Sequence, residues 1–120
     1  MLLNLVVFII LLISKHYIKI KLYNQIPTQE SLNRLLRSYQ TGTFDETEKI
    51  AKELSNSYPY HPFAWKVLGV LYIKSNRKKE ALQANKLALK YDPKDIEAYI
   101  NLGIIFKKTG EIKNARETFI

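Results

Sequence analysis

The stretch Trp65-Lys-Val-Leu-Gly-Val-Leu-Tyr72 returns as Tyr99-Ile-Asn-Leu-Gly-Ile-Ile-Phe106, 34 positions further on. Aromatic, leucine, glycine and aromatic recur in register, and Ala81 recurs as Ala115 at the same interval. Five matched residue classes at one fixed period mark a structural repeat rather than a bias of composition. Within each copy the apolar residues fall three and four apart, which predicts helices with one buried face. The punctuation keeps the same period. Gly42, Asn76 and Gly110 are 34 apart and are expected at positive φ, where Gly and then Asn are the least strained residues. Thr47, Ala81 and Ala115 are also 34 apart, where a small side chain lets two helices approach.

Working outward, the second unit is expected as helix A from about Pro62 to Lys74, a turn at Asn76, and helix B from about Lys78 to Tyr91, ended by Asp92-Pro93. The third repeats it, with helix A from about Ile96 to Lys108, Gly110 at the turn, and helix B from about Lys113. Before them, Thr28 is a candidate N-cap for a helix carrying Leu32, Leu35, Leu36 and Tyr39. Asp45 with Glu48 reads as a capping box for the next helix. Leu32 and Leu35 stand 33 rather than 34 positions before Trp65 and Leu68, so this first unit has a shorter helix A or a shorter A–B turn.

The period and the W-x2-L-G-x2-Y pattern resemble the tetratricopeptide repeat, a helix–turn–helix unit that stacks into a solenoid. The resemblance covers residues 28–120 and implies an all-α fold: a tandem helix–turn–helix solenoid of about two and a half repeats behind a hydrophobic N-terminal helix. The expected divisions are a hydrophobic helix at 1–22, a linker at 23–27, a degenerate first repeat at 28–61, a second at 62–95 and an incomplete third at 96–120. The family binds proteins and peptides on the concave face lined by its A helices. By that resemblance the face here comprises Phe63, Lys66, Val67, Val70, Ile73 and Lys74, followed by Glu97, Ile100, Asn101, Ile104, Lys107 and Lys108. Asn101 matches asparagines that grip peptide backbones in O-linked N-acetylglucosamine transferases, since a carboxamide both donates and accepts. Lys66 and Asn101 match two places of a carboxylate clamp found in other members, but Val70 stands where a third polar group is required. His61-Pro-Phe-Ala-Trp-Lys-Val-Leu-Gly69 is similar to N-terminal repeats of bacterial O-GlcNAc-transferase-like and sulfotransferase proteins. The alternative to a free-standing interaction module is therefore a truncated, substrate-recruiting arm of such an enzyme.

Within these 120 residues there is no nucleophile elbow, no H-E-x-x-H and no phosphate-binding glycine loop, so no catalytic residue, cofactor site or metal site is assigned. The absence of cysteine removes disulfide, thiolate-metal and cysteine-nucleophile chemistry. The net charge of +8 is uneven: +3 over residues 1–27, −1 over 28–61, +5 over 62–95 and +1 over 96–120. Arg77-Lys78-Lys79 with Lys86, Lys90 and Lys94 forms a basic edge on the second unit, read first as a solvated face and otherwise as a docking edge for an acidic partner or lipid headgroups. Nucleic acid is disfavoured as a partner because the aromatic residues are needed in the core.

Leu2 to Ile13 holds eleven apolar residues in twelve, broken by Asn4. As a helix that run spans roughly 18 Å, short of the ~30 Å hydrocarbon core, but extension through Leu22 reaches a spanning length. Lys15, Lys19 and Lys21 follow the run, which places the repeats in the cytoplasm if it spans. A cleaved signal fits poorly, with no basic residue before the run and no small-residue cleavage site after it; a packing helix in a cytoplasmic protein is the alternative. Ile120 falls inside the expected last helix, so the chain is expected to continue or to have its open end covered by a partner.

Overall fold

The computed structural model describes residues 2–23 and 25–110. The described residues form six α-helices: α1 (Leu2–Tyr23), α2 (Gln29–Thr41), α3 (Phe44–Ser57), α4 (Pro62–Lys74), α5 (Lys78–Tyr91) and α6 (Ile96–Lys108). All the regular structure among the described residues is helical, and α2 to α6 build the solenoid expected from the period. The helix expected from Lys113, together with Ala115, lies outside the described residues.

The starts of the helices follow from side chains that satisfy otherwise unpaired backbone N–H groups. Thr28 accepts from the N–H of Ser31 at 3.1 Å, Thr43 from Glu46 at 3.2 Å, and Asp95 from Ala98 at 3.2 Å. Pro62 opens α4 behind an N-cap His61. The capping residue of α3 is thus Thr43, two residues before the expected Asp45: its β-branched hydroxyl sits outside the helix, and Asp45 and Glu46 fall in the first turn.

Helices α4 and α6 begin 34 residues apart, as do α3 and α5, whereas α2 and α4 begin 33 apart. The A helices are 13 residues long in all three cases. The whole discrepancy therefore lies in the first A–B turn, two residues (42–43) instead of three (75–77). This corrects one expectation. Asn76 has φ 60° and Gly110 φ 79°, but Gly42 has φ −86°. The shorter turn has no left-handed position. Gly42 is needed for space instead, because a Cβ there would stand 2.7 Å from the backbone oxygen of Ser38.

The core runs as one cluster through α2 to α6, centred on Leu35, Leu54, Leu68, Leu71, Tyr72 and Ile105. Leu35 and Leu68 are essentially fully buried; truncating such a leucine to alanine costs about 2–5 kcal/mol. Where A and B helices cross, small residues meet: Ala81 in the second repeat, and in the first Thr47, whose hydroxyl lies 2.8 Å from that of buried Ser38. Gly69 faces Asn85, which is fully buried; a Cβ on Gly69 would fall 2.4 Å from its Nδ2. That amide donates to Ala81 O at 2.9 Å, while the Asn85 Oδ1 has no partner among the described residues.

Helix α1 stands apart. It makes no contact with another helix among the described residues, and its Leu2–Lys21 stretch is 0% buried, with mean hydropathy 1.8. By length and composition it is able to cross a membrane, a test that a signal sequence also passes.

Candidate functional site

The period reaches the polar contacts that fix each repeat. The indole Nε1–H of Trp65 donates to Pro59 O at 2.9 Å, and 34 residues on the Tyr99 hydroxyl donates to Pro93 O at 3.0 Å. The loop before each A helix is thereby pinned by the first aromatic of that helix. In the loops, the N–H of His61 bonds Tyr58 O and that of Asp95 bonds Asp92 O, again 34 apart. Tyr60 and Tyr91 close the same region edge-to-face, with ring centres 5.7 Å apart.

Helices α2, α4 and α6 lie side by side, and the twelve residues expected on their shared face separate into two sets. Val67 is 6% exposed and belongs to the core, so it offers no contact surface; Phe63 and Ile73 are half-buried and pack against that core. Val70 and Asn101 are half-buried, and Lys74, Glu97, Lys107 and Lys108 are exposed. Ile100 and Ile104 are 46% and 39% exposed, four residues apart and therefore on one stripe of α6. The face thus has an exposed aliphatic strip on α6, the helix next to α4. Its C-terminal end is basic, from Lys74, Lys107 and Lys108 in the last turns of α4 and α6.

Lys66 is already engaged. Its ammonium lies 2.9 Å from Asp95 and 2.8 Å from Glu97. Burial alone would lower its pKa, but the two carboxylates outweigh it and raise it. Reciprocally, burial would raise the Asp95 carboxyl, but Lys66 and the capped N–H groups hold it below the usual range. An ammonium with two partners is no free clamp for a ligand carboxylate, so the clamp expectation loses Lys66 as well as Val70. Here Lys66 staples α4 to the start of α6. Such a half-exposed pair is worth about 0.2–1 kcal/mol. Lys74 lies over the Tyr39 ring, 5.2 Å from its centre, and links α4 to α2.

Arg77 leaves the expected basic edge. It pairs with Glu48 of α3, donates to Glu80 at 3.0 Å, and lies 4.4 Å over the Tyr72 ring. Burial would raise the Glu48 carboxyl, but Arg77 and Lys52 pull it down. Sequence spacing held no sign of the link to Glu48, because Arg77 and Glu48 are 29 residues apart. Between α3 and α5 a groove of about 370 Å³ opens over Trp65, Leu68 and Tyr72.

Residues 64–95 and 96–120 match the tetratricopeptide repeat family. The chain is also 28% identical, over 79 residues, to the UDP-N-acetylglucosamine–peptide N-acetylglucosaminyltransferase of Caenorhabditis elegans; the match covers 66% of this chain and 7% of that protein. Period, helix order, pinned loops and sequence match agree that residues 64–120 carry tetratricopeptide repeats.

Proposed function

We propose that this chain is a protein-interaction module that seats a peptide or partner helix on the face of α2, α4 and α6, and that α1 tethers it to a membrane with the repeats on the cytoplasmic side. The exposed aliphatic strip of Ile100 and Ile104 carries this reading, since paired isoleucines facing water on a rigid scaffold gain most by being covered. Charge sets the polarity of the ligand. Lys66 is neutralised at the N-terminal ends of α4 and α6, while Lys74, Lys107 and Lys108 sit at their C-terminal ends, where a cation also complements the helix dipole. A ligand with an apolar centre and an acidic flank fits, the acid lying toward Lys107 and Lys108. Asn101 borders the strip and supplies the backbone contact.

Peptides selected from a random library on the full chain test the reading. Ile104→Asp is expected to lower their affinity at least tenfold and Asn101→Ala several-fold, with the thermal transition unchanged. Selected peptides that bind both variants as tightly as the parent would sink it.

The 28% identity to a glycosyltransferase of which the chain spans 7% favours a second reading, a substrate-recruiting arm of a larger transferase. An antibody to residues 28–120 separates the two. A native species well above 14.0 kDa supports the arm, and one at 14.0 kDa the free-standing module.

A further inference from the structure

Helix α5 carries a second surface that peptide binding does not use. Lys79, Lys86 and Lys90 stand seven and four residues apart on one stripe of its outer side. All three are exposed, and none is in a salt bridge among the described residues. Half-buried Leu82 and Leu87 lie between them, and together with Gln83 they line a shallow open groove of about 380 Å³. The acid of this helix, Glu80, is turned to Arg77. Among the described residues the stripe is therefore uniformly positive with an apolar floor.

We infer that this stripe docks α5 onto the anionic headgroups of a lipid bilayer, the one entered by α1. The inference rests on the membrane tether proposed above. Three observations favour lipid. First, the cations are all lysines, compact point charges on flexible stems. These suit a diffuse layer of phosphates better than the bidentate geometry that calls for arginine, and Arg77, the nearby arginine among the described residues, is committed to Glu48 and Glu80. Second, among the described residues the stripe offers no free aromatic to stack a base: Tyr91 next to it is engaged by Tyr60. Third, the bilayer is within reach. The link between α1 and α2 is about five residues, at most ~17 Å extended, and α5 lies about two helix spacings of ~10 Å from α2. Each lysine near an anionic surface strengthens partition roughly fivefold, and leucines between lysines gain by dipping into the interface.

The absence of cysteine in the chain makes a single label unambiguous. The full chain would be reconstituted with Gln83→Cys, or with Asn33→Cys on α2 as reference, each carrying a fluorophore, into phosphatidylcholine vesicles with and without phosphatidylserine. The position-83 label is expected to be shielded from an aqueous quencher at least twofold in the phosphatidylserine vesicles alone. Raised salt restores its access, and the position-33 label stays unchanged. Lys79→Glu/Lys86→Glu/Lys90→Glu abolishes the shielding while the chain still floats with the vesicles. If that variant fails to fold by circular dichroism, loss of shielding in salt and its retention at Lys→Arg positions carry the test. Equal access at position 83 in both vesicles, with the protein floating, overturns the docking. Shielding by a polynucleotide or a polyacidic peptide that phosphatidylserine does not reproduce also overturns it. Failure to float with phosphatidylcholine vesicles refutes the tether alone, and docking then stands or falls on the shielding seen with phosphatidylserine.

Discussion

His61 shows how one residue can make a repeat sensitive to pH. Its Nδ1 accepts the N–H of Phe63 at 3.3 Å and so caps α4, which requires an unprotonated nitrogen. Burial pushes its pKa below the ordinary 6.5 of histidine. The unfolded chain therefore takes up the proton first as pH falls, and the cap's contribution, present above about 6.5, is lost through that value and below. A lost N-cap costs about 0.5–2 kcal/mol. Thermal stability is expected to fall from pH 7.5 to 5.5, and His61→Asn, which caps without titrating, is expected to flatten that slope. Equal slopes would show that another group titrates. The lowered Glu48 and Asp95 also lose stability as pH falls, but in a lower window, below their ordinary 4.5 and 3.8. The raised pKa of Lys66 acts in the opposite direction, its ion pairs being lost only as pH rises above 10.5. Spacing gave no sign of these roles: Lys66 pairs with residues 29 and 31 positions away, and no helical period links them. Asn85 was equally illegible. Asparagine is ordinarily a surface residue, and only the bare Gly69 opposite lets it be buried.

At the scale of elements the sequence was most readable where proline, asparagine and aspartate punctuate it. Helices α4, α5 and α6 begin and end where Pro62, Asn76, Asp92-Pro93 and Gly110 place them. The first repeat was less so, because a turn one residue shorter keeps the glycine but changes the reason for it from backbone conformation to space. The two turns therefore respond differently to mutation. At φ 60°, Asn76→Gly is expected to be neutral and Asn76→Val to cost about 1–2 kcal/mol. At φ −86° strain is not the issue, and contact with Ser38 O is. Gly42→Asn is accordingly expected to destabilise about as much as Gly42→Ala, by about 1–3 kcal/mol. Urea unfolding of the four variants checks this. A Gly42→Asn chain as stable as the parent would mean that the first turn relaxes into a left-handed form.

The whole molecule divides at residues 24–28 between a helix that touches nothing else described and a solenoid whose core is continuous. The division was legible as a change of pattern, from an unbroken apolar run to a spaced one. What the face of α2, α4 and α6 would offer a ligand was only half legible. The resemblance named the positions, but whether each points to the core or to water depends on the neighbouring helix, as Val67 and Ile100 show. Because stability in a stacked array is a sum over repeats and their neighbour interfaces, a helix without an interface adds nothing to it. Deleting residues 2–23 is therefore expected to leave the thermal transition of the solenoid where it is in the full chain, while the fraction retained by membranes after alkaline carbonate extraction falls to background. A truncated chain that melts lower would mean that α1 packs on the repeats, around Leu36, Tyr39 and Phe44, which are exposed on α2 and α3. The apolar run would then be part of the core rather than a tether.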